Sequence, residues 1–533
     1  MTMKQRKYID IFASVGQSSV PNPDYPESAE VLLSDMKYAR IHSALVLHNA
    51  AKNYSFSYGN KLAAELAAEN HRLHALAMIA STPEFETGAD YFETLLENGA
   101  RGFVTSVDAR LAGSLEPRVM ERAAGALCAH KRPLIISGVF LEEHFKKVAG
   151  LAKAFPELPV IMQGTSWGTA RLFFEAMDKC ENLHFEFADN HTNNILEITK
   201  ANYGCERVLY NSNWPLKSMG ALKALVEYAD ISDADKDLIA HGNACRLFGI
   251  APDSLELYDD SECELDEIAL EADSGTSISV PVIDCHSHIV GSGDAPNATI
   301  MTEADADGFI KKMDRLGMDT TVTAPWIGIF NSGITGNEET IDAARKYPGR
   351  FLGYSCCNVN YAHERDAVCG YHDREPDIFV GIKPYPPQYK FDLTGEKCRK
   401  WFEYANEHHL CALIHADGDA CYPEQTDILS ERYPNVTFIL AHSGASFDIA
   451  RMNGAVAKKH DNVVLDITYT STSRGMIEFL VNEVGVDKVL FGTDSPMRDA
   501  TPQLAWVCYA KLPVEDKKKI LTGNMQRIMS KRK

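Results

Sequence analysis

Two histidines two residues apart, His286 and His288, follow the apolar run VIDC (282–285). On an extended strand, residues two apart point the same way, so both imidazoles can face one cation. Other apolar runs end in the same manner: LCALI at His415, VTFILA at His442, and KVLFG at Thr493-Asp494. Three imidazoles and a carboxylate brought to one point form a borderline N/O donor set suited to Zn²⁺, with Mn²⁺ or Fe²⁺ as alternatives. The remaining imidazole is then free for acid–base work. The run IFVGI leads into Lys383, and Trp326, Tyr385 and Arg498 also follow strand ends, which makes these four the candidate substrate contacts.

These residues need elements that converge. From Pro281 onward, eight β-rich runs alternate with amphipathic stretches: VIDC, DTTVTA, FLGYSC, IFVGI, LCALI, VTFILA, NVVLDI and KVLFG. Eight strands with interleaved helices in about 250 residues predict a (β/α)8 TIM barrel, whose chemistry sits at the carboxyl ends of its strands. No phosphate-cradling GxGxxG or GxxxxGK occurs in this half.

The first half repeats the pattern in order: KYIDIFASVG on PVIDCHSHIVG, FPELPVIMQG on YPNVTFILAH, CERVLYNSNWP on VDKVLFGTDSP, and DADKDLIAHGN on VEDKKKILTGN. This predicts an internal duplication and an α/β architecture of two tandem TIM barrels. The expected division is 1–251 for the first barrel, 252–279 for a linker and 280–533 for the second. The linker has ten Asp or Glu and no Lys or Arg, a composition expected to order poorly. In the first copy Phe12 and Ser14 stand opposite His286 and His288, and Val104 opposite Lys383. Ser137, Gly164 and Asn213 stand opposite His415, His442 and Asp494, so the first barrel is expected to hold no metal and to be catalytically silent.

With IDCHSH, the strand-end His415 and His442, GTDSP and the closing TGN, residues 281–533 resemble the amidohydrolase-related branch of the amidohydrolase superfamily. That branch includes metal-dependent hydrolases and decarboxylases of the aminocarboxymuconate-semialdehyde and resorcylate type. The resemblance implies that His286, His288, His415 and Asp494 hold the metal, while His442 is the acid/base. Asp494, bound to the metal or beside it, can take the proton of a water whose pKa the metal lowers to about 7. For Lys383 it leaves three roles: a carboxylated bridge between two metals, a contact to a substrate carboxylate, or a cap on the barrel. The resulting expectation is a metal-dependent hydrolase acting on a small carboxylated molecule, with a non-oxidative decarboxylase as the alternative. The first barrel resembles a degenerate copy, expected to act as an intramolecular pseudo-subunit, and the chain as a whole is a candidate homo-oligomer.

Composition narrows the partners. A formal net charge of −21 disfavours nucleic acid and anionic membrane surfaces. The 45% hydrophobic and 24% charged fractions are those of a globular protein, and no apolar run reaches the length of a membrane span. The start lacks an apolar signal region, so the expected location is the cytoplasm. Thirteen cysteines without a CxxC pair read as buried thiols. Two rivals remain. Gly164-Thr165-Ser166-Trp167-Gly168 matches a GxSxG nucleophile elbow, with Asp235 and His241 downstream as triad partners. A non-enzymatic binding protein with a structural metal is the other, although such sites are usually closed and Cys-rich.

Overall fold

The computed structural model describes residues 5–18, 26–82, 90–293, 299–417, 421–469 and 471–533. Two eight-stranded parallel sheets account for all the strands among them. The first runs in sequence order through β1 (Ile9–Val15), β2 (Ser43–His48), β3 (Leu73–Met78), β4 (Gly102–Ser106), β5 (Leu134–Ser137), β6 (Val160–Gln163), β7 (Leu183–Glu186) and β8 (Val208–Leu209). The second repeats this with β9 (Ile283–Ser287), β10 (Thr320–Thr323), β11 (Phe351–Cys356), β12 (Phe379–Lys383), β13 (Cys411–His415), β14 (Thr437–Ala441), β15 (Val463–Asp466) and β16 (Val489–Leu490). Helices cover the outside of each, so the strands are buried on both faces and read as continuous apolar runs. The chain folds into two tandem (β/α)8 barrels, and each of the eight runs expected in the second half is a strand.

Both barrels close by the same device. Ile11 N–H donates to the Tyr210 carbonyl at 3.2 Å, and Cys285 N–H to the Phe491 carbonyl at 3.0 Å, joining first strand to last. A buried aspartate then ties the seam. Asp284 accepts from His286 N–H (3.0 Å), Thr493 N–H (3.1 Å) and the Thr493 hydroxyl (2.7 Å). Asp10 accepts from Phe12 N–H, Ser212 N–H and the Ser212 hydroxyl. The pairing of the first strand with the second slips at this point in both barrels, between Asp10 and Ala13 and between Thr321 and Thr323. Even the closing helices match, each carrying a π-helical turn, at Leu238–Gly242 and Lys519–Gly523.

The chain divides into two compact units that part between Leu265 and Asp266. This falls inside the acidic stretch, which is more ordered than its charge predicted. Leu255 and Leu265 are buried in the first unit, where the Tyr258 hydroxyl donates to the Ile41 carbonyl at 3.0 Å. In the second unit, the helix Glu267–Asp273 buries Ile268, Ala269 and Ala272, and Lys517 pairs with Asp266 at 2.5 Å. The apolar residues spaced among the acids anchor the stretch at both ends, and average composition hides them. Among the described residues, no helix is long and apolar enough to cross a membrane.

Candidate active site

The carboxyl ends of the second barrel's strands converge on a narrow cavity of about 50 Å³. All nine candidate site residues line it: His286, His288, Trp326, Lys383, Tyr385, His415, His442, Asp494 and Arg498. Asp417 lines it as well. It sits two residues beyond His415, the spacing that brings His288 beside His286, and that spacing was the available sequence signal.

Three of the imidazoles are held by Nδ1 from behind. His286 Nδ1 lies 2.6 Å from Asp466 Oδ2, His288 Nδ1 2.7 Å from the Ala324 carbonyl, and His442 Nδ1 3.0 Å from the Thr468 carbonyl. A carbonyl can only accept, so Nδ1 carries the proton in His288 and His442, and Nε2 presents a lone pair. His286 Nε2 accepts from Lys383 Nζ at 3.3 Å. Asp494 Oδ1 lies 3.1 Å from His288 Nε2 and 3.6 Å from His286 Nε2, and Arg498 pairs with its other oxygen at 3.0 Å.

The candidate ligands form two overlapping groups. One ligand atom each from His286, His442 and Asp494 lie within 4.8 Å of one another, and so do those of His415, Asp417 and His442. His415 turns its Nε2 to Asp417 at 2.6 Å, toward the second group. Imidazole nitrogens with anchored rings beside a buried carboxylate are what a borderline divalent cation requires, so the residues fit such an ion.

The electrostatics fit the same picture. Burial pushes His286 and His442 well down, keeping both rings neutral at pH 7. Burial opposes the Asp494 charge, but Arg498 and the neighbouring imidazoles outweigh it and hold this carboxyl well below its usual range. Burial brings Lys383 down to about 8 against the pull of Asp494 and Asp466, and it raises Asp466 to about 6.

Backbone geometry shapes the cavity too. His442 and Asp494 both adopt left-handed conformations, φ 62° and 61°. Such a conformation costs a residue like histidine about 1–2 kcal/mol, a strain typical of functional positions. Behind them, a Cβ on Gly492 would stand 2.5 Å from Asp466 Oδ1, 2.4 Å from Thr468 Oγ1 and 3.0 Å from His286 Cβ, so only glycine lets these groups meet.

The corresponding rim of the first barrel carries Phe12, Ser14, Ser137, Gly164 and Asn213 and forms no comparable His/carboxylate cluster among the described residues. Among the described residues, no hydrogen bond joins Ser166, Asp235 and His241 to one another. Ser166 caps the short helical turn Trp167–Thr169, while Asp235 is taken up by Lys200 (2.7 Å) and Ser232 (2.6 Å). The GxSxG match arose because a barrel strand running into a helix reproduces the local strand–turn–helix pattern of the elbow.

Among solved structures, the chain is similar to 2,6-dihydroxybenzoate decarboxylase from Rhizobium, with 14% identity over 47% of this chain and 99% of that one and a TM-score of 0.37. It is similar also to 5-carboxyvanillate decarboxylase from Novosphingobium aromaticivorans, solved with manganese and 4-hydroxy-3-methoxy-5-nitrobenzoic acid (16%, 47% and 96%, TM-score 0.39). A third is 4-oxalomesaconate hydratase from Rhodopseudomonas palustris (19%, 47% and 96%, TM-score 0.37). No curated protein matches. Residues 3–250 and 283–528 each match the amidohydrolase family model, and the chain, an enzyme with that domain twice in tandem, belongs to the amidohydrolase family.

Proposed function

We propose that the second barrel is a metal-dependent hydrolase acting on a small carboxylated organic molecule, with Zn²⁺ as the preferred ion. The observation that carries this reading is the set of anchored imidazoles whose Nε2 atoms meet an anionic Asp494 at one cavity. His286, His288 and Asp494 would hold the ion, with His415 joining them when its Nε2 leaves Asp417. When bound, the cation supplies Lewis acidity to an oxygen of substrate or water.

The chain's own groups supply the rest. Neutral His442, with Nδ1–H fixed on the Thr468 carbonyl, has its lone pair at Nε2. It therefore accepts a proton from the attacking water first and returns it to the leaving group afterwards. Asp494, held anionic by Arg498, is a weak base and a good ligand. Lys383 and Arg498 bring two positive charges to the cavity, and Trp326, Phe330 and Tyr385 give it an aromatic wall. These features select a compact, anionic, unsaturated or aromatic substrate.

The narrow, aromatic-walled cavity favours a second reading, the non-oxidative decarboxylase. There a protonated group at the α-carbon would deliver its proton to the carbon that loses CO₂.

Metal analysis of protein purified without chelator tests the first claim. About one or two equivalents per chain are expected, lost in His286→Ala/His288→Ala. No metal after reconstitution with Zn²⁺, Mn²⁺ or Fe²⁺ would overturn it. Incubation with a panel of aromatic and unsaturated carboxylic acids and their esters and amides, read for CO₂ and for hydrolysis products, separates the two reactions.

A further inference from the structure

The two barrels fill the space behind their third strand differently. The helix Phe56–Glu69 packs on β3 as the helix Gly333–Lys346 packs on β11, and each has 14 residues. One asparagine fixes the register of each pair. Asn60 Nδ2 donates to the Met78 carbonyl (2.9 Å) and its Oδ1 accepts from Met78 N–H (2.8 Å), and Asn337 treats Cys356 in the same way (3.0 and 2.7 Å). Four residues on, Ala64 therefore stands where the second barrel has Ile341. Two residues before Met78 and Cys356, Leu76 pairs with Gly102 and Tyr354 with Gly381, so Ala100 stands where the second barrel has Phe379. Thr94 corresponds to Tyr371, since the carbonyl of each accepts from the N–H that caps its helix.

In the second barrel Ile341, Tyr371 and Phe379 form one buried cluster, with the two rings edge to face at 5.9 Å. That wall has no slack: a Cβ on Gly353 would stand 2.4 Å from Thr340 Cγ2 and 3.2 Å from the Phe379 ring. In the first barrel the three positions carry two alanines and a threonine. A cavity of about 140 Å³ remains there, between β3 and the helices Phe56–Glu69 and Tyr91–Glu97. Ala75, Ala77, Leu95 and Ala100 are its buried floor, while Ser57, Lys61, Thr94 and Asn98 are exposed at its mouth. Asn60, the buried polar side chain in the wall, is engaged by Met78 at both its oxygen and its nitrogen. Atoms lining such a space lack contacts that an apolar occupant restores. A dry cavity of about 150 Å³ takes up benzene.

We infer that this side pocket of the first barrel binds a small neutral molecule with a single aromatic ring, the ring lying against Ala64, Ala75 and Ala100 where the second barrel has its own Phe379. A polar substituent faces the mouth, and a charge carried to the floor would lie there unpaired. The site is independent of the reaction assigned to the second barrel.

The test uses the full-length protein with ¹³C-labelled alanine methyls and toluene as probe. The Ala64 and Ala75 resonances, each assigned by its absence from the Ala→Ser variant, should shift saturably through the ring current of bound toluene, and benzoate should leave them unmoved. Ala100→Phe writes the missing ring into the chain and should abolish the toluene shift at both methyls. Ala64→Ile, which restores the other lost side chain, should weaken toluene binding about ten-fold or more, read on the Ala75 methyl. Methyls unmoved up to the solubility limit of toluene overturn the site, as does an Ala100→Phe protein of native melting temperature whose methyls still respond as in the wild type. Benzoate binding there as tightly as toluene overturns the neutral class of ligand. If Ala100→Phe fails to fold, the wild-type shifts and Ala64→Ile decide.

Discussion

At the scale of single residues, the site depends on what stands behind the imidazoles. Asp466 holds His286 by a 2.6 Å contact, itself buried and with its pKa raised to about 6. Asp466→Asn should therefore leave the fold intact by circular dichroism and weaken metal binding about 10–100-fold in a competition titration, as losing the carboxylate that orients a ligating imidazole does. Unchanged affinity would mean that His286 is oriented by packing alone. Gly492→Ala should have a similar effect for a steric reason, because the new methyl meets Asp466 and Thr468 well inside van der Waals contact. A Gly492→Ala variant that binds metal like the wild type would show that β15 yields.

At the scale of elements, strand-end positions were readable from sequence because a fully buried parallel strand is a short apolar run, and the residue after it points into the mouth. His286, His415, His442 and Asp494 were found this way. Asp466 was not, since it lies inside the run NVVLDI and its importance comes from a partner 180 residues away. Asp417 was missed because no apolar run ends at it, and only its two-residue spacing from His415 marked it. The order of the acidic stretch was hidden for the opposite reason, a few buried apolar residues outweighed in the composition by ten acids.

Glu186, at the end of β7, accepts from Gly164 N–H (2.8 Å) and Ala188 N–H (2.6 Å), and burial, helped by Asp189, raises its pKa from 4.5 to about 7. A raised carboxyl pKa means that the folded state binds the proton more tightly. The protonated group is tolerated below pH 4.5, and stability falls as pH rises from there toward 7. The loss is at most about 3 kcal/mol from this group. Glu186→Gln removes one acceptor and should be less stable at pH 5, yet lose less between pH 5 and 8 in denaturant titrations. A slope identical to the wild type would exclude Glu186 as the source.

At the scale of the whole molecule, two separately closed barrels should unfold as two units. A divalent metal should raise the transition of the second only, by about 2.7 kcal/mol at a hundred times its dissociation constant. Calorimetry with and without metal checks this, and a shift in both transitions would refute a single metal-binding barrel. The first barrel in the role of pseudo-subunit predicts that residues 280–533 alone bind metal but lose turnover, and full activity in that fragment would end this role.

Gly164 limits how the first barrel can change. It has the backbone turn of His442, with φ +93°, yet a Cβ there would stand 2.4 Å from the Gly138 carbonyl oxygen. Writing the six missing side chains back into the first barrel should therefore yield no second metal centre, because the histidine at 164 has no room until the chain at 138 moves. The two halves still share a seam, a register slip and a π-turn, but a cluster like that of the second barrel is closed to point substitutions at these six positions alone. Any future competence of the first barrel has to be built on what now occupies its mouth.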